Sequence, residues 1–112
     1  MKRLTRTFVE MFAVGMLLLP AARASADTGD VAYRKKCSAC HGAAGKGDTA
    51  MGLKLKAKDL SDPALQAELS DTQIEKFLTD GIPEKKMPAQ KDKLTPEEIK
   101  AVVQYVRTLK RK

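Results

Sequence analysis

The chain has 112 residues, 31% charged and 4% aromatic, with no tryptophan, two cysteines, one histidine and a formal net charge of +7. That length bounds it to one small domain, and basic residues interleaved with acidic ones and few aromatics argue against nucleic-acid binding. A disulfide between two cysteines so close together would close too small a loop to hold a fold.

The N-terminus reads as a leader. "MKRLTRTF" is basic, "FAVGMLLL" is a short apolar run and "ARASA" ends in an A-x-A pattern, the order of a secretory signal over residues 1–26 with cleavage after about Ala26. The run from Met11 to Leu19 falls short of the roughly 20 residues a membrane span needs, and no cysteine follows it to carry a lipid. Export therefore leaves one domain, residues 27–112, with a formal charge of +4 and Tyr33, Phe77 and Tyr105 as its aromatics. A core that small is marginal unaided. The composition leaves room for a large apolar cofactor.

From Asp27 to His41 the pattern predicts a helix, with Gly29, Tyr33, Cys37 and Cys40 on one stripe. "GAAGKGDTAMG" (42–52), with four glycines, reads as a loop. It is no phosphate-binding loop: the spacing is wrong, no Ser or Thr follows Lys46, and no apolar strand precedes it. In "SDPALQAEL" Asp62 caps a short helix with Pro63 at its first position. A second helix starts at Ser70, with Gln73 completing a capping box. Ile74, Phe77 and Leu78 form its apolar face, and Gly81 stops it. "IPEKKMPAQKDKL" (82–94) has no periodicity, and connections of about this length are usually functional. Pro83 and Pro88 stiffen it around Met87. Thr95, Pro96 and Glu98 then open a last helix in which Ile99, Val102, Val103, Val106 and Leu109 repeat at helical spacing. Lys110, Arg111 and Lys112 at its end suit the helix dipole. No stretch alternates with period two, so the fold class is all-α.

Cys37, Cys40 and His41 carry the chemistry. A redox dithiol would sit at a helix start beside a sheet, and this chain offers neither. Structural zinc needs four ligands where these residues supply three, leaving a carboxylate such as Asp48 as an unusual fourth. C-x-x-C-H is the attachment signature of c-type haem. Cysteines at i and i+3 point the same way, so both sulfurs reach one porphyrin edge, and His41 can turn to the iron.

"CSACHG", "GLKLKAKDLSDP", the "MP" of the long loop and "LTPEEIKAVVQYVRTL", in this order from about Gly29 to Leu109, resemble a class I c-type cytochrome of the small soluble bacterial monohaem kind. The resemblance implies the cytochrome c fold, three to four helices around one covalently bound haem c. It implies thioether bonds to Cys37 and Cys40, and axial iron ligation by His41 and Met87. Met51, the other methionine outside the leader, would ligate from a flexible glycine loop, and a second histidine does not exist. His41 should donate its remaining ring N–H to a carbonyl near Ala57 to Leu60, where a proline usual in the family is missing. Gly29 and Tyr33 should face the last helix at Tyr105 and Leu109. Gln90 stands where related sequences often have an aromatic, implying a more polar haem edge.

Iron closed by two ligands implies a non-enzymatic carrier making outer-sphere one-electron transfers in a periplasmic, respiratory setting. Its partners would be redox proteins with acidic docking patches, steered by Lys35, Lys36, Lys46, Lys85, Lys86, Lys91 and Lys93. Nucleic acid, stable membrane insertion and oligomerisation are not expected. Two alternatives stand beside this reading: a cytochrome whose weak Met87 bond yields to carbon monoxide or nitric oxide, and an exported dithiol oxidoreductase.

Overall fold

Local capping chemistry decides where most helices begin. The computed structural model describes residues 24–112 and Gly15, with side chains from Thr28 onward, so the predicted leader lies almost wholly outside the described residues. The helices are α1 (Ala24–Lys36), α2 (Ser38–His41), α3 (Ala50–Leu55), α4 (Pro63–Glu68), α5 (Asp71–Asp80) and α6 (Pro96–Thr108), with a 3₁₀ turn at Pro83–Lys85. Among the described residues the only β pairing is an isolated bridge between Ile82 and Met87. The fold is all-α. Three helices are long and three are short, where three to four in all were expected.

The predicted caps form. Asp62 accepts from the Ala64 N–H, and Pro63 opens α4. Ser70 with Gln73, and Thr95 with Glu98, make complete capping boxes at the starts of α5 and α6.

Two local expectations fail. The helix predicted over 27–41 breaks at Cys37, which becomes the N-cap of α2. There the Ser38 hydroxyl donates to the Arg34 carbonyl at 2.6 Å, taking the acceptor a continuing helix would use. Residues 50–52, read as loop, open α3 instead. Its signal was Thr49, whose hydroxyl accepts the Gly52 N–H; glycine at the third helical position hid it, because no capping-box acid stands there.

α1 packs across α6 and supplies the core. Tyr33 and Val102 are fully buried, and Ala32, Leu78, Leu94, Ile99, Val103 and Val106 close around them. The rings of Tyr33 and Tyr105 lie 5.0 Å apart at 51°, a tilted pair of the favourable kind. Gly29 allows the approach: a Cβ there would run into the Ala101 carbonyl and stand 3.3 Å from the Tyr105 Cβ. Leu109, also expected to face Gly29 and Tyr33, caps α6, packs against the core cluster that contains Tyr33, and stands beside Gly45.

Two arginines tie the remaining segments to α6. Arg107 pairs with Asp71 at 2.7 Å and donates to the Gln66 carbonyl, the Gln66 side chain and the Leu69 carbonyl. Buried Gln66 in turn donates to the carbonyls of Leu60 and Val106. Arg111, expected only as a dipole partner, bonds Asp59 at 2.6 Å and the Ser61 hydroxyl at 2.9 Å.

Replacing Arg107 with alanine removes the donor to the buried Gln66 side-chain oxygen and to the carbonyls of Gln66 and Leu69 at the end of α4. It should cost about 2–3 kcal/mol in urea unfolding, and lysine should recover only part of that loss, since its single ammonium cannot make the fork of bonds.

Asp59 is held below the usual carboxylate range, first by the Ser61 hydroxyl and then by Arg111, against the opposing effect of burial. A depressed folded value means stability present above the unfolded value of about 4 and lost as pH falls through the folded one. Asp59→Asn should therefore be less stable than wild type at pH 7, and urea midpoints should converge as the pH drops below about 4.

Candidate functional site

The helices enclose an apolar cavity of about 340 Å³, within the range of sites that hold small molecules and cofactors. Tyr33 and Cys37 line it from α1 and its end, His41 from α2, Leu65 and Leu69 from α4 and its cap, Ile74, Phe77 and Leu78 from α5, Met87 from the long loop, and Val102 and Val106 from α6. The predicted apolar face of α5 and the otherwise purposeless loop thus meet at one place. Cys40 is half-buried on α2 but is not part of the lining. Met51 lies on α3, 49% exposed and away from the cavity.

Backbone groups fix the Cys37–His41 segment. The buried Tyr33 hydroxyl donates to the Gly42 carbonyl at 2.7 Å, and burial is the first cause that raises its pKa. The Gly47 N–H donates to the His41 carbonyl at 2.8 Å. The Thr49 hydroxyl reaches the carbonyls of Ala39 and Cys40.

His41 Nδ1 lies 3.0 Å from the Lys58 carbonyl oxygen. A carbonyl only accepts, so Nδ1 carries the proton and Nε2 keeps its lone pair. Burial lowers the His41 pKa, partly offset by that hydrogen bond, which favours the neutral, ligating imidazole. The carbonyl sought between Ala57 and Leu60 is that of Lys58, and no proline is needed to supply it.

Burial first, and neighbouring Cys40 second, push the Cys37 thiol up to about 11. Nucleophilic redox cysteines show the opposite shift. Gln90 is 4% exposed, buried within the loop and outside the cavity lining. Its Nε2 donates to the Pro88 carbonyl at 3.3 Å, and its Oε1 has no partner. Sequence reasoning missed the Gln66–Arg107 clamp, whose Gln66 lines the cavity, because its partners lie 41 residues apart.

An imidazole with an available lone pair, a thioether from a separate element, a thiol at the wall and an apolar interior form a donor set that fits haem.

Relatives point the same way. Residues 24–106 match the family described as cytochrome C oxidase, cbb3-type, subunit III. Cytochrome c-553 of Helicobacter pylori (strain ATCC 700392 / 26695) is 34% identical over 104 residues, covering 89% of this chain and 96% of that protein. Among solved structures, the KustC0563 c-type cytochrome is similar at 40% identity with a TM-score of 0.69, over 74% of this chain and 98% of that one. A point mutant of it gives 38% and 0.67, over 74% of this chain and 99% of its own. The chain belongs to this family: it is a small class I c-type cytochrome and carries covalently bound haem c.

Proposed function

We propose that this cytochrome is a periplasmic electron carrier whose haem is joined to Cys37 and Cys40 and ligated by His41 and Met87. The observation that carries the reading is the placement of His41, its Nδ1 proton spent on Lys58, and of Met87 on a separate wall of the same apolar cavity. The bound group supplies a one-electron iron couple, and methionine–histidine ligation raises its potential.

The chain's own residues do the rest. The Lys58 carbonyl orients His41 and keeps it basic. The apolar walls from Leu65, Ile74, Phe77 and Val102 keep water from the ligands. Two protein ligands leave no open position for a substrate, which favours outer-sphere transfer over catalysis.

The leader over 1–26 fits export and a cleaved domain of 27–112. No helix among the described residues is long and apolar enough to cross a membrane. The carrier reading takes the chain as a monomer meeting its partners transiently. The raised Cys37 thiol weighs against the dithiol alternative.

Absorption spectra of the purified holoprotein test the ligands. The oxidised wild type should show the weak far-red band of iron bound to thioether sulfur. Met87→Ala should abolish it, lower the reduction potential and let the reduced protein bind carbon monoxide. Met51→Ala should change none of the three. A wild type that binds carbon monoxide readily would favour the gas-binding alternative.

The seven lysines named for steering are all exposed, and Lys35, Lys36 and Lys93 border one surface groove floored by Val31, Ala32 and Leu94. Lys35→Glu with Lys93→Glu should slow oxidation by anionic hexacyanoferrate by about tenfold at low salt. The same pair should speed oxidation by a cationic cobalt complex, and both effects should fade as salt shortens the screening length. Unchanged rates with both probes would move the exchange surface elsewhere.

A further inference from the structure

The loop that carries Met87 is closed on itself and pressed against the end of α5. Ile82 and Met87 exchange both backbone hydrogen bonds, Ile82 N–H to Met87 O at 2.9 Å and Met87 N–H to Ile82 O at 3.1 Å. The Gln90 N–H returns the chain to α5 by donating to the Leu78 carbonyl at 2.8 Å.

Gly81 lies beneath this clasp, with φ 71° and ψ −178°, a conformation open in practice to glycine alone. A Cβ at position 81 would stand 2.6 Å from Ala89 N, 2.7 Å from Met87 O and 2.9 Å from Pro88 C. All three are backbone atoms, which no rotamer change can move aside.

We propose that Gly81 is a positioning residue for Met87. Its missing side chain lets the backbone of residues 87–89 lie against the C-terminal end of α5, and that close approach sets how far the thioether reaches into the cavity. The inference rests on Met87 being the axial ligand.

A methyl group at 81 has two ways to be relieved. The last turn of α5 can open, or the 87–89 segment can lift. α5 is held by its capping box and by buried Leu78. The loop is held by its own bridge and by two N–H groups, Gln90 on the Leu78 carbonyl and Lys91 on the Thr79 carbonyl at 3.4 Å. Residues 88–89 span between bridge and ties, so that span moves. A site of this kind tolerates only about 0.5 Å of displacement. The Met87 bond therefore weakens while the helices stay folded.

Gly29 supplies the control, because a Cβ there also meets backbone, the Ala101 carbonyl, but at the α1–α6 contact and not in the Met87 loop. Wild-type, Gly81→Ala and Gly29→Ala holoproteins are compared by far-red intensity when oxidised, carbon monoxide titration when reduced, far-ultraviolet circular dichroism and urea midpoint. Gly81→Ala should keep its helix content, lose about half or more of the far-red band, and bind carbon monoxide about tenfold more tightly than wild type. Gly29→Ala should lower the urea midpoint while keeping the band and the wild-type gas response.

Full band intensity with wild-type gas response in Gly81→Ala would overturn the proposal. So would equal loss of the band in Gly29→Ala, or loss of helix content together with the band in Gly81→Ala, since either would make the substitution a defect of the fold. A wild-type band that survives Met87→Ala would instead overturn the ligand assignment, and this inference with it.

Discussion

An apolar hollow that the polypeptide cannot fill is the constraint on which the rest of this structure depends. The hollow, about 340 Å³ and lined mostly by apolar side chains, is a space the bound haem would fill, adding apolar burial that so small a core cannot supply by itself. The cofactor is a structural member of the core as well as its redox centre. Covalent attachment then has a physical reason: walls this thin cannot retain a planar group by burial alone.

The polypeptide meets that requirement by dividing the work. α1 and α6 pack directly, through Gly29 against Ala101 and Tyr33 against Tyr105, and form the one protein-only part of the core. The shorter elements wrap the hollow and are fastened at their ends, α4 and α5 through Gln66 and Arg107, and the 59–61 segment through Asp59, Ser61 and Arg111. These fasteners are polar, and of them Gln66 alone reaches the cavity lining, which is otherwise mostly apolar. No wall of this kind can be built from one helix, and the proposed ligands His41 and Met87 line it from elements far apart in the chain.

What was legible in the sequence was what local chemistry decides. Asp62 before Pro63, Ser70 with Gln73 and Thr95 with Glu98 fix helix starts within four residues of chain, and each can be read without knowing the fold. C-x-x-C-H is local in the same sense. The failures were of two kinds. Ser38 and Thr49 redirected helices through single hydroxyl bonds that no periodicity announces. Arg107 with Gln66, His41 with Lys58 and the burial of Gln90 depend on segments that meet only in three dimensions. Lys58 is the instructive case: the sequence narrowed the carbonyl to four residues, yet a backbone oxygen carries no side-chain signature, so only the fold picks it out.

The segments that carry the two proposed ligands are held by unlike means, and this difference bears on the proposed function. His41 sits in a segment whose carbonyls and N–H groups are engaged by Tyr33, Gly47 and Thr49, with its own ring bonded to Lys58. Met87 sits in a loop closed on itself by the Ile82–Met87 bridge and joined to α5 by the Gln90 and Lys91 N–H groups on the Leu78 and Thr79 carbonyls. It stands next to Lys86 in a left-handed conformation and near a buried Gln90 oxygen without a partner. An unpaired buried oxygen costs roughly 1–3 kcal/mol, and a left-handed lysine about 1–2 kcal/mol. The unpaired oxygen has no counterpart on the His41 side among the described residues, although left-handed Lys56 stands two residues before Lys58 there. With Met87 as the proposed axial ligand, the choice between a closed electron carrier and a gas-binding cytochrome would fall to residues 81–94. The helices and the C-x-x-C-H turn would serve either function, and the closure of that one loop would set the balance.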